Sequence, residues 1–219
     1  MGALEEVDAR ISAGEVPARL ALGAPGEPLL QTAIAHLIRH WAASPPVRRH
    51  RRYLLEGPLV AVRGFDQLKE VLGGPGQGIE TGWSLRDVSR GGFAAYVPLT
   101  AGKDVRVGEL VAVRGEGSAW QLAVIRRSWA QPDRGVLLGL ETLSRSPMRA
   151  SVDDGRIRTE VLLCDPPMRG EAVRLAATTG ALPVGSPLFL TNGAGILKLK
   201  PLDASMAGEG FELRVFQVL

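Results

Sequence analysis

The hydrophobic positions near the start of the chain recur with a helical period. Residues Leu4–Gly14 predict a short helix with weak periodicity, and Leu29–Ala43 predicts a better one. The second helix has one apolar face, formed by Leu30, Ile34, Leu37, Ile38 and Trp41. It ends at Ser44-Pro45-Pro46, because proline cannot continue the helical ladder and restricts the residue before it. We expect this helix to pack against a sheet edge or a partner chain.

After residue 58 the pattern changes to short apolar or alternating runs, which are typical of strands. The first group of predicted strands is Leu59–Arg63, Trp83–Ser89, Phe93–Val97, Glu109–Arg114, Trp120–Arg127 and Val136–Leu143. The second group is Ile157–Leu163, Val173–Ala177, Pro187–Thr191, Ile196–Leu199 and Phe211–Val218. Turn residues separate the runs, and a short helix is predicted at Phe65–Leu72. This spacing predicts a mainly β protein built on a small antiparallel barrel or sandwich.

A soft boundary near Met148–Ser151 divides the two groups of strands. The predicted organisation is an N-terminal helical segment at 1–46, a β-barrel at 47–149, and a C-terminal β unit at 150–219. The last unit is either a second small β domain or an extension of the first barrel. A strong turn is predicted at residues 153–155, and no internal repeat is evident in the sequence.

The composition is typical of a globular protein, and the positive charge is concentrated locally instead of being spread over the chain. The 219 residues include 45% hydrophobic and 22% charged residues, with a formal net charge of only +3. This balance favours a small anion over a long nucleic acid as the partner of any basic cluster. Aromatic residues make up 5%, which also argues against extended stacking platforms.

Several classes of protein are disfavoured. No apolar run approaches the ~20 residues that span a membrane, and the acidic start at 1–10 lacks the apolar core of a signal peptide. A cytoplasmic protein without a membrane span is therefore expected. The single cysteine, Cys164, excludes an internal disulfide and a cysteine-based zinc site. His36 and His40 have metal-pair spacing but no evident third ligand, and no phosphate-binding loop or serine elbow occurs. We predict no enzyme and no cofactor.

One basic cluster stands out, Arg48-Arg49-His50-Arg51-Arg52. Like charges at this density repel one another, so the cluster is best explained by an anionic partner. Guanidinium groups suit phosphate oxygens and the guanine O6/N7 edge. A solvated basic turn is the alternative that the cluster alone leaves open.

A second constellation follows at Asp87-Val88-Ser89 and ends in Gly91-Gly92. On a strand, side chains two residues apart share a face, so the carboxylate and the hydroxyl are expected side by side. Asp87 can accept from N–H donors such as a guanine edge, and Ser89 can donate or accept. The glycines allow a sharp turn or the close approach of a ligand. The alternative to a ligand site is a strand that simply ends in a polar turn.

Together the two stretches resemble the PilZ domain family, whose motifs are RxxxR in a loop and [DN]xSxxG on a neighbouring strand. The matching residues here are Arg48 with Arg52, and Asp87 with Ser89 and Gly92. The resemblance extends over roughly 47–143 and includes Gly139-Leu140-Glu141, which is similar to a late-strand motif of the family. A helix and a glycine-rich loop at 65–82 depart from the family pattern and could reshape the rim of a site.

The resemblance implies a PilZ-type antiparallel barrel that binds the bacterial second messenger cyclic di-GMP. Arg48 and Arg52 would then grip phosphate and the guanine Hoogsteen edge, Asp87 and Ser89 would contact the other guanine edges, and Gly92 would permit close approach. The ligand would order the arginine loop and change a surface that a partner reads.

Further residues are implied more weakly. Arg49 and Arg51 would add phosphate contacts or steer the ligand, and the apolar Val47 favours one bound ligand over a stacked pair. Two alternatives stay open: a PilZ-fold protein-interaction module without nucleotide, and a barrel that binds single-stranded nucleic acid. A protein partner, or self-association through the helix at 29–43, is also expected.

Overall fold

A computed structural model describes residues 2–13, 27–40, 50–74, 76–98, 104–131, 135–192 and 195–219. The chain divides into two compact units, Met1–Arg49 and His50–Leu219. The mainly β class with an antiparallel barrel and a second small β unit is confirmed.

In the part of the first unit that the structure describes there are two helices, α1 at Gly2–Ser12 and α2 at Glu27–His40. Both were predicted, although α2 begins earlier than its apolar pattern suggested, and the last predicted residues, 41–43, lie outside the described part of the chain. The two helices pack together, and Ile11 and Ile34 are buried. No helix in the described part of the chain is long and apolar enough to cross a membrane.

The described residues of the second unit form twelve strands and one helix. The first six strands are β1 (Tyr53–Arg63), β2 (Glu80–Ser89), β3 (Gly92–Val97), β4 (Leu110–Gly115), β5 (Gln121–Gln131) and β6 (Gly135–Ser144). The others are β7 (Met148–Asp153), β8 (Arg158–Leu163), β9 (Ala172–Thr178), β10 (Leu188–Asn192), β11 (Gly195–Ala207) and β12 (Phe211–Val218). Helix α3 (Phe65–Gly73) connects β1 to β2.

These strands form two closed antiparallel barrels with the same strand order. The first runs β1-β2-β3-β6-β5-β4, and the second runs β7-β8-β9-β12-β11-β10. Each strand of the first barrel therefore has a counterpart six strands later. The sequence showed no repeat, because different side chains can satisfy the same alternation of inward and outward positions.

Three apolar clusters build this unit. One fills the first barrel around Trp83 and Ile125, and another fills the second barrel around Leu175 and Phe216. The third, which we call the shared core, lies between the barrels and contains Phe211. Its other buried members are Val62, Leu68, Val71, Leu110, Ala112, Leu122, Val124, Leu143, Leu162, Cys164, Ala176 and Leu213. The two barrels thus bury one continuous apolar surface against each other.

Helix α3 is part of this contact between the two barrels. Leu68 and Val71 enter the shared core, and the helix contacts β1, β4, β7 and β8. Lys69 adds an ion pair to Glu160 of the second barrel at 3.6 Å. The helix of this insertion therefore joins the barrels, and the expectation that the insertion reshapes the rim of a ligand site stays a prediction.

Several predicted boundaries also need correction. Strand β1 begins at Tyr53 rather than Leu59, because its first half pairs with β2 alone. The boundary near 148–151 falls inside β7, a strand that the sequence reading missed. The predicted turn after β7 is present, with Asp153 and Asp154 accepting backbone hydrogen bonds within it.

An ion pair beside the contact between the two barrels predicts an acid-sensitive contribution to stability. Arg174 donates to Asp165 from Nε at 2.7 Å and from Nη2 at 2.6 Å, and Nη2 also reaches the carbonyl of Leu143 at 2.8 Å. Burial raises the pKa of Asp165, but the hydrogen bonds and charge of Arg174 outweigh it, so the pKa lies below its usual value. The stabilisation is present above the unfolded-state pKa and is lost as the pH falls through the folded one.

We therefore expect Asp165→Asn to flatten the acid side of the stability profile. Urea unfolding between about pH 5 and about pH 2 should show a steeper loss for the wild type than for the variant. The matched control is Glu116→Gln, an exposed carboxylate on the turn after β4, which should keep the wild-type slope. Parallel profiles for wild type and Asp165→Asn would contradict this assignment.

Candidate functional site

A bulge in β2 determines where Asp87 points. Trp83 lies in the interior of the first barrel and Leu85 packs against it, so regular alternation would send Asp87 inward as well. The register with β3 shifts between Leu85 and Asp87, with Arg86 as the extra residue. Val88 consequently packs on the interior, and Asp87 lies on the outer face.

Asp87 is a buried carboxylate with an incomplete set of partners. It is only 6% exposed, although it lies on the outer face. Nη1 of Arg52 is 3.3 Å from Oδ1, and it donates a hydrogen bond to Oδ2 at 3.5 Å. Oδ1 is buried and receives no hydrogen bond from the described residues. An unmet buried acceptor costs about 1–3 kcal/mol, so a further donor at this point would be stabilising.

Ser89 and Gly92 have local structural roles. The Ser89 hydroxyl donates to the carbonyl of Gly92 at 3.0 Å, which closes the turn between β2 and β3. A Cβ on Gly92 would lie 2.0 Å from the carbonyl oxygen of Leu140 on β6. Glycine is therefore required here by the neighbouring strand, whether or not a ligand approaches.

Sheet register places Asp87 in a row with residues distant in sequence. Asp87 pairs with Ala94, Ala94 with Gly139, and Gly139 with Arg127. Two small residues thus separate an acidic from a basic side chain across three strand spacings, roughly 14 Å. Arg127 is exposed and has no ion-pair partner among the residues described. We call this outer surface the small-residue row.

A parallel row places two aromatic rings beside it. Tyr96 on β3 pairs with Leu137 on β6, which pairs with Trp129 on β5. Trp129 is 46% exposed, and its Cζ3 is 3.7 Å from where a Cβ on Gly139 would lie. Trp129 is therefore a surface residue of this outer face. Trp120 is half-buried just before β5 and packs against the shared core, with Arg114 4.5 Å from its ring centroid.

A hollow of about 420 Å³ adjoins these rows. Glu56, Ser84 and Tyr96 contribute its polar groups. The guanidinium of Arg86 lies 5.9 Å from the Tyr96 ring centroid, so a cation and an aromatic plane occur together at its side. The sequence did not indicate Arg127, Trp129 and Tyr96 as site residues. They come together only through the strand pairing of β3 with β6 and of β6 with β5.

The arginine cluster is only partly within the described residues. Val47, Arg48 and Arg49 lie outside them, so their predicted roles stay predictions. Arg51 lies 5.4 Å from the Tyr53 ring centroid. His50 lies close to Gly91, since a Cβ there would be 3.2 Å from its Cδ2. The end of the cluster thus lies against the turn between β2 and β3, beside Asp87.

The second barrel lacks the same chemistry at the corresponding position. On β8, Leu162 pairs with Ala176 as Asp87 pairs with Ala94, and both belong to the shared core. That outer face is covered by the first barrel. Cys164 also lies in the shared core, where burial raises the pKa of its thiol to about 12 and so keeps it un-ionised. The described residues contain no group of three or more side chains that could hold a metal ion.

Comparison with protein-family models, with curated proteins and with solved structures finds no match to this chain.

Proposed function

We propose that the chain is a sensor that binds cyclic di-GMP on the outer face of the first barrel. The observation that carries the proposal is Asp87, a buried carboxylate that faces Arg52 and still lacks a hydrogen-bond donor at Oδ1. A guanine N1–H and N2–H edge supplies donors of the required kind. The long contacts between Arg52 and Asp87 leave the guanidinium able to exchange partners.

The surrounding residues match the chemistry of a charged purine dinucleotide. Arg52 and Arg127, at opposite sides of the small-residue row, offer guanidinium forks for the two phosphates. Tyr96 and Trp129 offer planes on which a base can stack. Because Ala94 and Gly139 carry little or no side chain, the surface between Arg52 and Arg127 stays low. Arg48 would join Arg52 from the preceding segment, and a ligand held by both would order that segment and change the surface a partner meets.

The direct test is titration calorimetry with cyclic di-GMP. We expect measurable binding to the wild type, and a loss of roughly 30- to 150-fold in affinity for Arg52→Ala. That loss corresponds to about 2–3 kcal/mol for removing a charge-assisted contact. Asp87→Asn should lose affinity comparably, because its amide would present a donor to the guanine edge.

The matched control is Arg158→Ala, an exposed arginine on β8 of the second barrel. Its affinity should equal that of the wild type. Flat titrations with folded wild-type protein would contradict the proposal and favour a protein-interaction module without nucleotide. Equal losses for Arg52→Ala and Arg158→Ala would indicate a nonspecific charge effect.

A second candidate is supported by the half-buried Tyr96 and the exposed Trp129. Tyr96, Trp129 and the neighbouring Arg127 would also suit a short single-stranded nucleic acid. Such binding would weaken steeply and linearly with the logarithm of salt concentration. Titrating a fluorescent oligothymidine at several salt concentrations separates it from dinucleotide binding.

A further inference from the structure

The first half of β1 has an open edge. Residues Tyr53–Pro58 pair with β2 on one side, whereas pairing with β4 begins only at Leu59. Among the described residues, no strand pairs with the other edge of this segment. Three consecutive apolar side chains are exposed there: Tyr53 by 57%, Leu54 by 84% and Leu55 by 52%. An uncovered apolar edge of this kind is a template for a further strand.

The outer face of this edge has a self-complementary pattern of side chains. Leu54 lies opposite Asp87 in the register with β2, and Arg52 reaches the same Asp87. Glu56 lines the hollow beside Ser84, on the same outer face. The face therefore presents a cation, an apolar side chain and an anion in order. Glu56 has no ion-pair partner within the described ranges, and Arg52 uses only Nη1 toward Asp87.

We propose that a second copy of this chain pairs with this edge, antiparallel, about a twofold axis at Leu54. In that register Leu54 meets Leu54 of the second copy, and Arg52 meets Glu56 of the second copy. Symmetry makes the Arg52–Glu56 pair occur twice, as in any isologous interface. Opposed side chains of an antiparallel pair lie about 5 Å apart, which is close enough for both kinds of contact.

The charge pattern favours a second copy over an unrelated strand. A foreign strand would need an acid opposite Arg52 and a base opposite Glu56, and this strand supplies both to itself. Two features limit the interface to a few residues. The bulge at Leu55–Glu56 twists the edge, and Pro58 has no N–H to donate. We therefore expect a weak dimer that forms at high protein concentration.

Sedimentation velocity on the full chain, over roughly 10–500 µM, tests the proposal. We expect the wild type to shift reversibly toward dimer. Leu54→Lys should weaken the dimer at least about tenfold, because it places two charges on the axis. The matched control is Val184→Lys in the second barrel, since Val184 is 86% exposed. It should dimerise as the wild type does.

Charge reversal tests the register itself. Glu56→Arg should weaken the dimer, because it opposes two cations. Far-UV circular dichroism confirms that each variant is folded. A wild type that stays monomeric, or a dimer that Leu54→Lys leaves intact, would overturn the proposal. A Glu56→Arg variant that dimerises as the wild type does would also overturn this register.

Discussion

Replacing Phe211 by alanine is expected to lower the free energy of unfolding by about 3–5 kcal/mol. The ring is 1% exposed and lies in the shared core, where side chains of both barrels and α3 surround it. Its surroundings cannot collapse easily onto the space it leaves, since they belong to two closed barrels. The loss should therefore fall at the large end of core truncations.

The same variant tests whether the barrels unfold together. Every tryptophan of the chain precedes residue 130, so the second barrel, which contains Phe211, has none. If the shared core couples the barrels, Phe211→Ala should shift the urea midpoint of tryptophan fluorescence as far as that of far-UV circular dichroism. Phe189→Ala on β10, where the ring is 38% exposed, is the control and should cost about 1 kcal/mol or less. A fluorescence midpoint unmoved by Phe211→Ala would show independent barrels.

Gly92→Ala is expected to destabilise the fold by about 3 kcal/mol or more, or to prevent the folded protein from accumulating. The new Cβ would lie 2.0 Å from the Leu140 carbonyl oxygen and 3.0 Å from its carbonyl carbon. Both are backbone atoms of a paired strand, so β3 and β6 would have to separate. Chemical denaturation of the purified variant measures the loss.

Gly91→Ala is the control for this prediction. Its Cβ would approach only the imidazole of His50, at 3.2 Å from Cδ2, and that side chain can move aside. The cost should be within about 0.5 kcal/mol. Equal stability of the two variants would contradict the steric role of Gly92. Because Gly92→Ala should disturb the sheet, its loss of binding alone would not demonstrate a ligand contact.

The fold class was accessible from the sequence because strand alternation is a local property. Runs such as Leu59–Arg63 and Phe93–Val97 showed it, and both lie within observed strands. The prediction failed where burial differs along one strand. The first half of β1 carries exposed apolar residues such as Leu54, and β7 alternates weakly because Met148 and Arg149 are both exposed.

The candidate site was predictable only in part. The motif spacing placed Asp87 and Ser89 on one face, and Arg52 indeed lies against Asp87. The need for a bulge at Arg86 was not visible, although without it Asp87 would point into the barrel. Gly92 was interpreted as an opening for a ligand, whereas the backbone of β6 already requires it.

By itself the sequence determined the mainly β architecture, the two groups of strands, and the chemistry of the residues around Arg52 and Asp87. These features depend on side-chain type and on spacings of a few residues, which local backbone geometry converts directly into faces and turns. Only the tertiary structure joined Asp87 to Ala94, Gly139 and Arg127, and sealed the outer face of β8 against the first barrel. Those contacts follow from register between strands far apart in the chain and from barrel closure, and neither is written in any local period.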